Sequence, residues 1–227
     1  MKFAAVAFDL DGTLYPNYRL VLRIIPFLLK DQSLLRALDK ARIKLRDSGA
    51  YGPDFYDTQA RLMAEILGQP EEKVKEKTER LIYRGWEPHF KKIKLFPYVR
   101  ETLDVFRKKG IKMGLLSDFP PETKLKNLKI DGYWDTVICS EITGRLKPDP
   151  ASFLEMAGKM GTAPEKTLYV GNSVSYDVAG AARAGMKTAL IRPGILHRAR
   201  RKTGRSEDSP PDLTFFDYRQ LRDYVLS

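Results

Sequence analysis

The sequence predicts an α/β fold in which a parallel β-sheet carries an inserted α-helical module. Three observations predict it: short apolar runs recur along the chain, helical patterns separate most of them, and one long stretch after the first run contains helical patterns alone. Alternation of strands and helices favours a parallel sheet with crossover helices. Because the apolar runs are continuous, we expect helices on both faces of the sheet.

Six stretches have the composition of strands, being apolar runs with β-branched or aromatic residues between turn formers. The predicted strands are residues 3–10, 111–118, 135–140, 167–172, 187–192 and the shorter 213–216. Cys139 follows two apolar residues in the third strand, so we expect a buried structural residue and not a nucleophile. As the single cysteine, it also excludes an internal disulfide.

Three helical patterns connect these strands, and their ends are marked by familiar residues. The first places apolar residues on one face and ends at Gly110. The second begins with Asp149 as N-cap and Pro150 at the first helical position. The third ends at Gly185. Each pattern therefore predicts a crossover helix of limited length.

Residues 16–92, called the insert below, interrupt the alternation and contain no convincing strand. Helical spacing of apolar residues there predicts helices within residues 31–49, 54–68 and 70–85. The chain is accordingly divided into a core domain of residues 1–15 and 93–227 and a helical domain formed by the insert.

The chain of 227 residues carries a formal net charge of +11. Such an excess can indicate nucleic acid, anionic lipid or anionic small substrates, or only a well-solvated surface. Lysines and arginines are spread along most of the chain, and the one dense cluster, residues 197–205, has the composition of an exposed loop. Because no nucleic-acid-binding motif accompanies it, we do not expect nucleic acid as a partner.

The composition also bears on location. No apolar run approaches the roughly 20 residues that span a bilayer, and the beginning of the chain lacks a signal-peptide pattern. We therefore expect a cytoplasmic protein without a membrane partner. Nothing in the sequence indicates the oligomeric state.

Chemically versatile side chains follow the predicted strands. They are Asp9 and Asp11 after the first strand, Ser117 and Asp118 after the second, Lys147 in a loop after the third, and Asn172 and Asp177 after the fourth. In an open parallel sheet, ligands bind beyond the carboxyl ends of the strands. These residues are therefore predicted to form one site.

Two carboxylates as close as Asp9 and Asp11 would repel each other unless a cation lay between them. Hard oxygen ligands completed by water and phosphate suit Mg²⁺. With a metal present, Asp9 could stay ionised and attack phosphorus, while Asp11 protonates the leaving oxygen and later deprotonates water. Ser117 and backbone N–H groups could hold the phosphoryl oxygens, and Lys147 could neutralise their charge.

Four segments in order resemble the four motifs of the haloacid dehalogenase-like (HAD) hydrolase superfamily. They are DLDGTLY (9–15), LLSD (115–118), GRLKPDP (144–150) and GNSVSYDVAGAARAGM (171–186). The resemblance extends from end to end, and the insert is similar to the helical cap that this superfamily's phosphatases carry after the first motif. It implies a Rossmann-like core, an inserted helical cap and a Mg²⁺-dependent phosphohydrolase that acts on a small phosphorylated metabolite through an aspartyl-phosphate.

The resemblance also implies residue roles. Asp9 would be the nucleophile and Asp11 the general acid and base. Phosphate would be bound by Ser117, Asp118 and Lys147. The ligands of Mg²⁺ would come from Asp9, Asp11, Asn172 and Asp177.

One position departs from the family pattern, in which the last motif usually begins with Gly-Asp. Here Asn172 is neutral, so either its side-chain oxygen coordinates the metal or Asp177 takes that role, and metal binding should be weaker. Asp11 argues against a dehalogenase, which has no leaving oxygen to protonate. A phosphoglucomutase-like phosphotransferase and a non-catalytic binding protein on this fold stay open as alternatives.

The motifs do not fix the substrate. In this architecture the cap closes over the core, excludes water and contacts the leaving group. Tyr15, Tyr18 and Arg19 follow the first motif and are interpreted as packing or surface residues, with a position facing the pocket as the alternative.

Overall fold

A six-stranded sheet forms the centre of the structure, a computed structural model that describes residues 2–49, 54–192 and 210–227. The strand order is β3-β2-β1-β4-β5-β6, and every neighbouring pair is parallel. The strands are β1 (Ala5–Phe8), β2 (Lys112–Ser117), β3 (Thr136–Cys139), β4 (Thr167–Gly171), β5 (Lys187–Ile191) and β6 (Leu213–Phe215). All six predicted strands and the parallel sheet are confirmed.

The register of the central strands brings their carboxyl ends to one edge of the sheet. Phe8 of β1 pairs with Leu115 of β2 on one side and with Val170 of β4 on the other. The chain order reverses between β1 and β4, and ligand-binding crevices in such sheets form at this reversal. The loops after β1, β2 and β4 therefore lie next to one another.

Helices surround the sheet and fill the insert. The described α-helices are α1 (Asn17–Lys30), α2 (Gln32–Ser48), α3 (Phe55–Leu67), α4 (Glu71–Thr78), α5 (Arg84–Phe90), α6 (Val99–Lys108), α7 (Glu122–Leu128), α8 (Ser140–Thr143), α9 (Pro150–Met160), α10 (Ala179–Arg183) and α11 (Tyr218–Leu226). Both faces of the sheet are covered, as predicted.

Alternate residues of β1 show how the two faces differ. Val6 and Phe8 belong to the large apolar cluster that α6, α7 and α11 complete, whereas Ala5 and Ala7 belong to the cluster under α9 and α10. The second face needs small residues, because a Cβ added at Gly114 would lie 2.4 Å from the sulfur of Met156. Small side chains in the strands thus let α9 approach the sheet closely.

The structure has the helix ends that were predicted from N-cap and glycine residues. The side chain of Asp149 accepts the N–H of Ala151 at the beginning of α9, and Gly110 and Gly185 have φ angles of 69° and 80° after α6 and α10. The third predicted helix differs in its first turn, which is a π-turn over Val174–Val178. π-Turns often occur at functional sites, and this one carries Asp177.

The described residues of the insert form helices joined by short connections, and none of them forms a strand. Between α4 and α5 the chain continues as a π-turn, Glu79–Tyr83. The helices α2, α3 and α4 share an apolar cluster of their own, whereas Leu20 and Ile24 of α1 belong to the large cluster of the sheet. The beginning of the insert is thereby packed on the core.

The structure also bears on the expectations for Cys139 and for membrane-spanning helices. Cys139 is buried at the end of β3, as predicted, and burial raises the pKa of its thiol to about 12. None of the described helices has the length and hydropathy that crossing a membrane requires. The basic segment 197–205 and the side chain of Arg19 lie outside the described residues.

Candidate active site

Asp9 lies directly after β1 and is buried. Its Oδ1 accepts a hydrogen bond from Lys147 Nζ at 2.7 Å, and its Oδ2 accepts one from Thr13 Oγ1 at 2.7 Å. Burial raises the pKa of Asp9 to about 7; the carboxylates of Asp177 and Asp11 act in the same direction, and Lys147 opposes them. Asp9, the first predicted catalytic residue, is thus held by two hydrogen bonds in a buried position that disfavours its ionised form.

Lys147 joins the loops after three different strands. Its buried Nζ lies 2.7 Å from Asp9 Oδ1 and 2.7 Å from Asp177 Oδ1. Burial lowers the pKa of Lys147, but the carboxylates of Asp177 and Asp9 outweigh that effect and raise it well above its usual value. A lysine that stays charged therefore holds the two aspartates together.

Asp177 is fixed on both of its carboxylate oxygens. While Oδ1 accepts from Lys147, Oδ2 accepts the backbone N–H groups of Asn172 at 3.1 Å and Ser173 at 3.0 Å. The carboxylate fits only because residue 171 is glycine, since a Cβ there would lie 2.3 Å from Asp177 Cβ. Through these contacts, Asp177 orients the loop after β4.

Asp11 lies on the opposite side of the first motif and is half-buried. Its Oδ1 and Oδ2 accept hydrogen bonds from Lys124 Nζ at 2.7 and 2.6 Å, and Oδ1 also accepts the hydroxyl of Tyr15. Tyr15 is fully buried, in agreement with a packing role, while Tyr18 is exposed. Lys124 was missed by the sequence reasoning, because it lies in α7, outside every motif.

Lys124 is expected to keep Asp11 in place for proton transfer. We expect Lys124→Met to reduce the rate of phosphate-ester hydrolysis roughly 10- to 100-fold, since general acid–base catalysis requires a positioned group. Lys126→Met, which removes an exposed lysine from the same helix, is the matched control and should leave the rate unchanged. Initial rates and melting curves of both variants check this, and equal rates for the two would contradict it.

Ser117 and Asp118 end β2 next to these groups. The buried Ser117 hydroxyl donates to the carbonyl of Phe119 at 2.7 Å and so closes a turn. Asp118 accepts from Arg46 Nη2 at 3.0 Å and from the backbone N–H of Lys147 at 3.2 Å. Burial raises the pKa of Asp118, but nearby cations, Lys147 foremost, outweigh it and lower the pKa below its usual value.

This ionised state bears on the phosphate contact expected of Asp118. A carboxylate that stays charged repels a phosphate, so its side chain is unsuited to bind one and serves instead to hold Arg46 and the loop of Lys147. Arg46 comes from α2 of the insert and donates Nε to the carbonyl of Lys147 at 2.9 Å. Arg46 could not be predicted from the sequence, because its partners are 72 and 101 residues away along the chain.

Asn172 lies against the first motif. A Cβ added at Gly12, whose φ is 89°, would be 2.2 Å from Asn172 Nδ2 and 2.8 Å from Asn17 Nδ2. The backbone carbonyl of Asn172 accepts from Arg192 Nη1 at 2.8 Å. The residue that replaces the usual aspartate therefore packs its side chain directly on the loop that carries Asp11.

Gly12→Ala should both strain this loop and displace Asn172. A left-handed φ costs a non-glycine residue roughly 1–2 kcal/mol, and the added methyl group also meets the amide of Asn172. Gly110→Ala is the matched control, because Gly110 has a φ of 69° and no atom within 4 Å of the added Cβ. We expect a clearly larger loss of unfolding free energy in urea for Gly12→Ala. Equal losses would contradict the contact.

The donor atoms at the site suit a magnesium ion in part. Within the described ranges no three His, Cys, Asp or Glu side chains are arranged as a metal-binding group. Mg²⁺, however, commonly uses one or two carboxylates and completes its shell with water and phosphate. Asp9 offers a carboxylate whose charged form burial disfavours, and the neutral amide of Asn172 lies against Gly12 of the same motif. The residues therefore fit a Mg²⁺ ion that is bound by few charged side chains.

A cavity of 1410 Å³ opens between the insert and the core. Asp11 and Lys124 lie in its wall, which also includes aromatic residues of the insert and of the loop after β2, among them Tyr83, Trp86 and Phe119. The cavity thus begins at the proposed acid and base and extends along the insert. It offers room for the group attached to a reacting phosphate.

A buried charge network fastens the insert to the core beside this cavity. Glu141 of α8 pairs with Arg42 of α2 and accepts the hydroxyls of Tyr83 at 3.1 Å and Tyr56 at 3.2 Å. Burial raises the pKa of Glu141 despite these partners. No sequence motif includes the four residues, because they come from separate helices and loops.

Known proteins of similar sequence and structure identify the family of this chain. Residues 3–185 match the family model of the haloacid dehalogenase-like hydrolases. A glyceraldehyde 3-phosphate phosphatase of Methanopyrus kandleri is 30% identical, with 97% of this chain and 96% of that protein covered. The solved structure of a HAD phosphatase from Thermococcus onnurineus is 26% identical, with a TM-score of 0.62 over 99% of this chain and 98% of that one.

A second solved structure, the L-2-haloacid dehalogenase RSc1362, has a TM-score of 0.67 and covers 100% of both chains, but at 19% identity it shows the shared fold alone. The family match extends over most of the chain and includes the four motifs except the last residue of the fourth. The chain belongs to the haloacid dehalogenase-like hydrolases.

Proposed function

We propose that the chain is a Mg²⁺-dependent phosphohydrolase that acts on a small phosphorylated metabolite through an aspartyl-phosphate at Asp9. The proposal rests on the different surroundings of two neighbouring carboxylates, Asp9 and Asp11. Asp9 is buried on Lys147, whereas Asp11 faces the cavity. The Methanopyrus relative and the Thermococcus structure, both named as phosphatases, support the same reaction.

In the first half of the reaction, a carboxylate oxygen of Asp9 attacks phosphorus while the bond from phosphorus to the alcohol oxygen breaks. Asp11 gives its proton to that oxygen, and the alcohol leaves through the cavity. In the second half, water attacks phosphorus and Asp11 takes up its proton. The bond between phosphorus and Asp9 then breaks, which releases inorganic phosphate and restores the carboxylate.

Phosphate binding is proposed for Ser117, Lys147 and the backbone of Asp118. Lys147 carries a positive charge beside Asp9 and would attract the phosphoryl oxygens as the bond forms. The Ser117 hydroxyl can turn from its own loop towards a phosphoryl oxygen. A contact from Asp118 would come from its N–H group, because its carboxylate is held by Arg46.

Mg²⁺ would be held by the carboxylate of Asp9, the backbone carbonyl of Asp11 and the side-chain oxygen of Asn172. When bound, it supplies positive charge that favours ionised Asp9 and stabilises charge on the phosphoryl group. Asp177 would act from behind, since its carboxylate fixes the N–H of Asn172. With a neutral residue at position 172, binding should need a higher Mg²⁺ concentration than a site with an aspartate there.

We also propose the domain division on which this mechanism depends. Residues 1–15 and 93–227 would form the catalytic core, and residues 16–92 would form the cap over the cavity. The separate apolar cluster of α2, α3 and α4 supports a cap with its own packing. The contacts of Arg42 and Arg46 with core carboxylates support a closed position of that cap.

Phosphate release from a panel of phosphorylated metabolites at neutral pH tests the function. We expect turnover of at least one ester with millimolar Mg²⁺ and its loss in EDTA, with recovery when Mg²⁺ is added back. Calcium, which is larger and more flexible in coordination, serves as a comparison ion. The proposal would be contradicted by no release from any ester at millimolar Mg²⁺, a result that favours phosphotransfer or a binding role.

A further inference from the structure

The cavity wall contains a buried hydrogen-bond acceptor that has no partner. Gln59 of α3 lies in the wall and is 2% exposed. Its Nε2 donates to the hydroxyl of Tyr83 at 3.1 Å, but its Oε1 has no hydrogen-bond partner among the described residues. Buried acceptors without partners are uncommon and call for a donor.

The neighbouring hydrogen bonds fix the orientation of this amide. The Tyr83 hydroxyl donates its only proton to Glu141 Oε1 at 3.1 Å, so towards Gln59 it can act only as an acceptor. The amide nitrogen of Gln59 must therefore face Tyr83, and the oxygen must be the free atom. A second amide in the wall, Asn17, also has a buried Oδ1 without a partner.

The charges of the cavity wall also favour a ligand that donates hydrogen bonds. Its cations are each paired with a carboxylate of the same wall: Lys124 with Asp11, Lys75 with Asp57 and Arg84 with Glu79. Four carboxylates remain, namely Glu72, Glu76, Glu87 and Glu122. The described cavity is thus acidic in a chain whose net charge is +11. A second negative charge on the ligand would be repelled, and hydroxyl or ammonium groups would be favoured.

We propose that the cavity binds the alcohol part of a phosphate monoester that presents hydrogen-bond donors to Gln59 and carries no second negative charge. This proposal rests on the proposed function, because it assumes that the phosphoryl group lies at Asp9. The donors are hydroxyl or ammonium groups. The volume of about 1410 Å³ exceeds the roughly 300–1,000 Å³ of common ligand sites, so the cavity has room for an alcohol as long as a hexitol.

Two matched pairs of six-carbon esters test the proposal by calorimetry with Mg²⁺ on Asp9→Asn, which retains the cavity but lacks the nucleophile. Sorbitol 6-phosphate and 6-phosphogluconate differ at the far end, a hydroxyl against a carboxylate. 6-Aminohexyl phosphate and hexyl phosphate differ there by an ammonium group. We expect sorbitol 6-phosphate to bind about tenfold or more tightly than 6-phosphogluconate, and at least one of the two donor esters to bind about tenfold or more tightly than hexyl phosphate. The tighter donor ester identifies hydroxyl or ammonium.

Substitution of Gln59 tests whether the preference for donor esters depends on Gln59 Oε1. In the Asp9→Asn background, Gln59→Leu should weaken the preferred donor ester about fivefold or more and leave hexyl phosphate unchanged. Gln69→Leu is the control, because Gln69 follows the same helix and lies outside the residues that line the cavity. It should keep the preference.

The proposal is overturned if 6-phosphogluconate binds as tightly as sorbitol 6-phosphate, or if hexyl phosphate binds as tightly as both donor esters. Its failure can be told apart from that of the proposed function. The expected order of binding without phosphate release by the native protein would refute only the phosphohydrolase. Release of phosphate with the opposite order of binding would refute only the assignment of the cavity.

Discussion

Asp9→Asn should reduce phosphate release at least about 1,000-fold, because an amide oxygen cannot replace a carboxylate as the attacking group. The change is nearly isosteric. The amide oxygen of Asn can still accept from Lys147, and its Nδ2 can donate to the Thr13 hydroxyl, so the contacts with both partners of Asp9 and the fold should be retained. Initial rates with saturating Mg²⁺ measure the effect, and a melting curve of the variant checks that it is folded.

Thr13→Val is the matched control for that result. It removes the 2.7 Å hydrogen bond to Asp9 Oδ2 but leaves the nucleophile, so we expect a loss of about tenfold, the scale of one hydrogen bond. Rapid acid quenching of the native protein with substrate should also give a phosphoryl adduct on the peptide of Asp9. More than a tenth of native activity in Asp9→Asn would contradict the nucleophile assignment.

The strands, and the positions of the seven candidate site residues after them, could be predicted from the sequence because each depends on local pattern. A buried parallel strand needs a continuous apolar run, and the polar residue at its end stands out at once, as Asp9 does after Phe8. The helix ends at Gly110 and Asp149 are equally local, since a left-handed φ and an N-cap are set by one residue. Such signals survive without knowledge of the rest of the chain.

The missed residues depend on contacts between distant segments. Lys124 meets Asp11 across 113 residues, and Arg42 meets Glu141 across 99. A lysine on a short helix or an arginine on an amphipathic helix has the same local pattern whether it faces solvent or a carboxylate. Only the packing of α2 and α7 against the core distinguishes the two. For the same reason, the free oxygen of Gln59 could not be foreseen.

The π-turns were missed for a related reason. The residues of Val174–Val178 have ordinary helical spacing, and the sequence predicts a regular helix there. The observed turn lets the N–H groups of Asp177 and Val178 share the carbonyl of Ser173 while the Asp177 carboxylate turns back to Lys147. The buried ion pair is thus compatible with this local geometry, which propensity alone does not indicate.

Lys147→Met should be the most destabilising single substitution proposed for the site. It leaves two buried carboxylates, Asp9 and Asp177, without the cation that lies 2.7 Å from each. Removing one partner of a buried ion pair lowers the free energy of unfolding by about 3–5 kcal/mol. Urea denaturation at neutral pH measures it. Lys187→Met, which removes a half-exposed lysine 3.0 Å from Asp212 Oδ1, is the control and should change stability little.

A second substitution separates lost charge from lost packing in Lys147→Met. Without the lysine, the buried carboxylates of Asp9 and Asp177 repel each other and have no cation to compensate for their burial. Adding Asp177→Asn removes one of the two carboxylates, so it should restore part of the stability at pH 7. A deficit that Asp177→Asn does not relieve would mean that Lys147 contributes packing alone, because a methylene chain has no charge to lose.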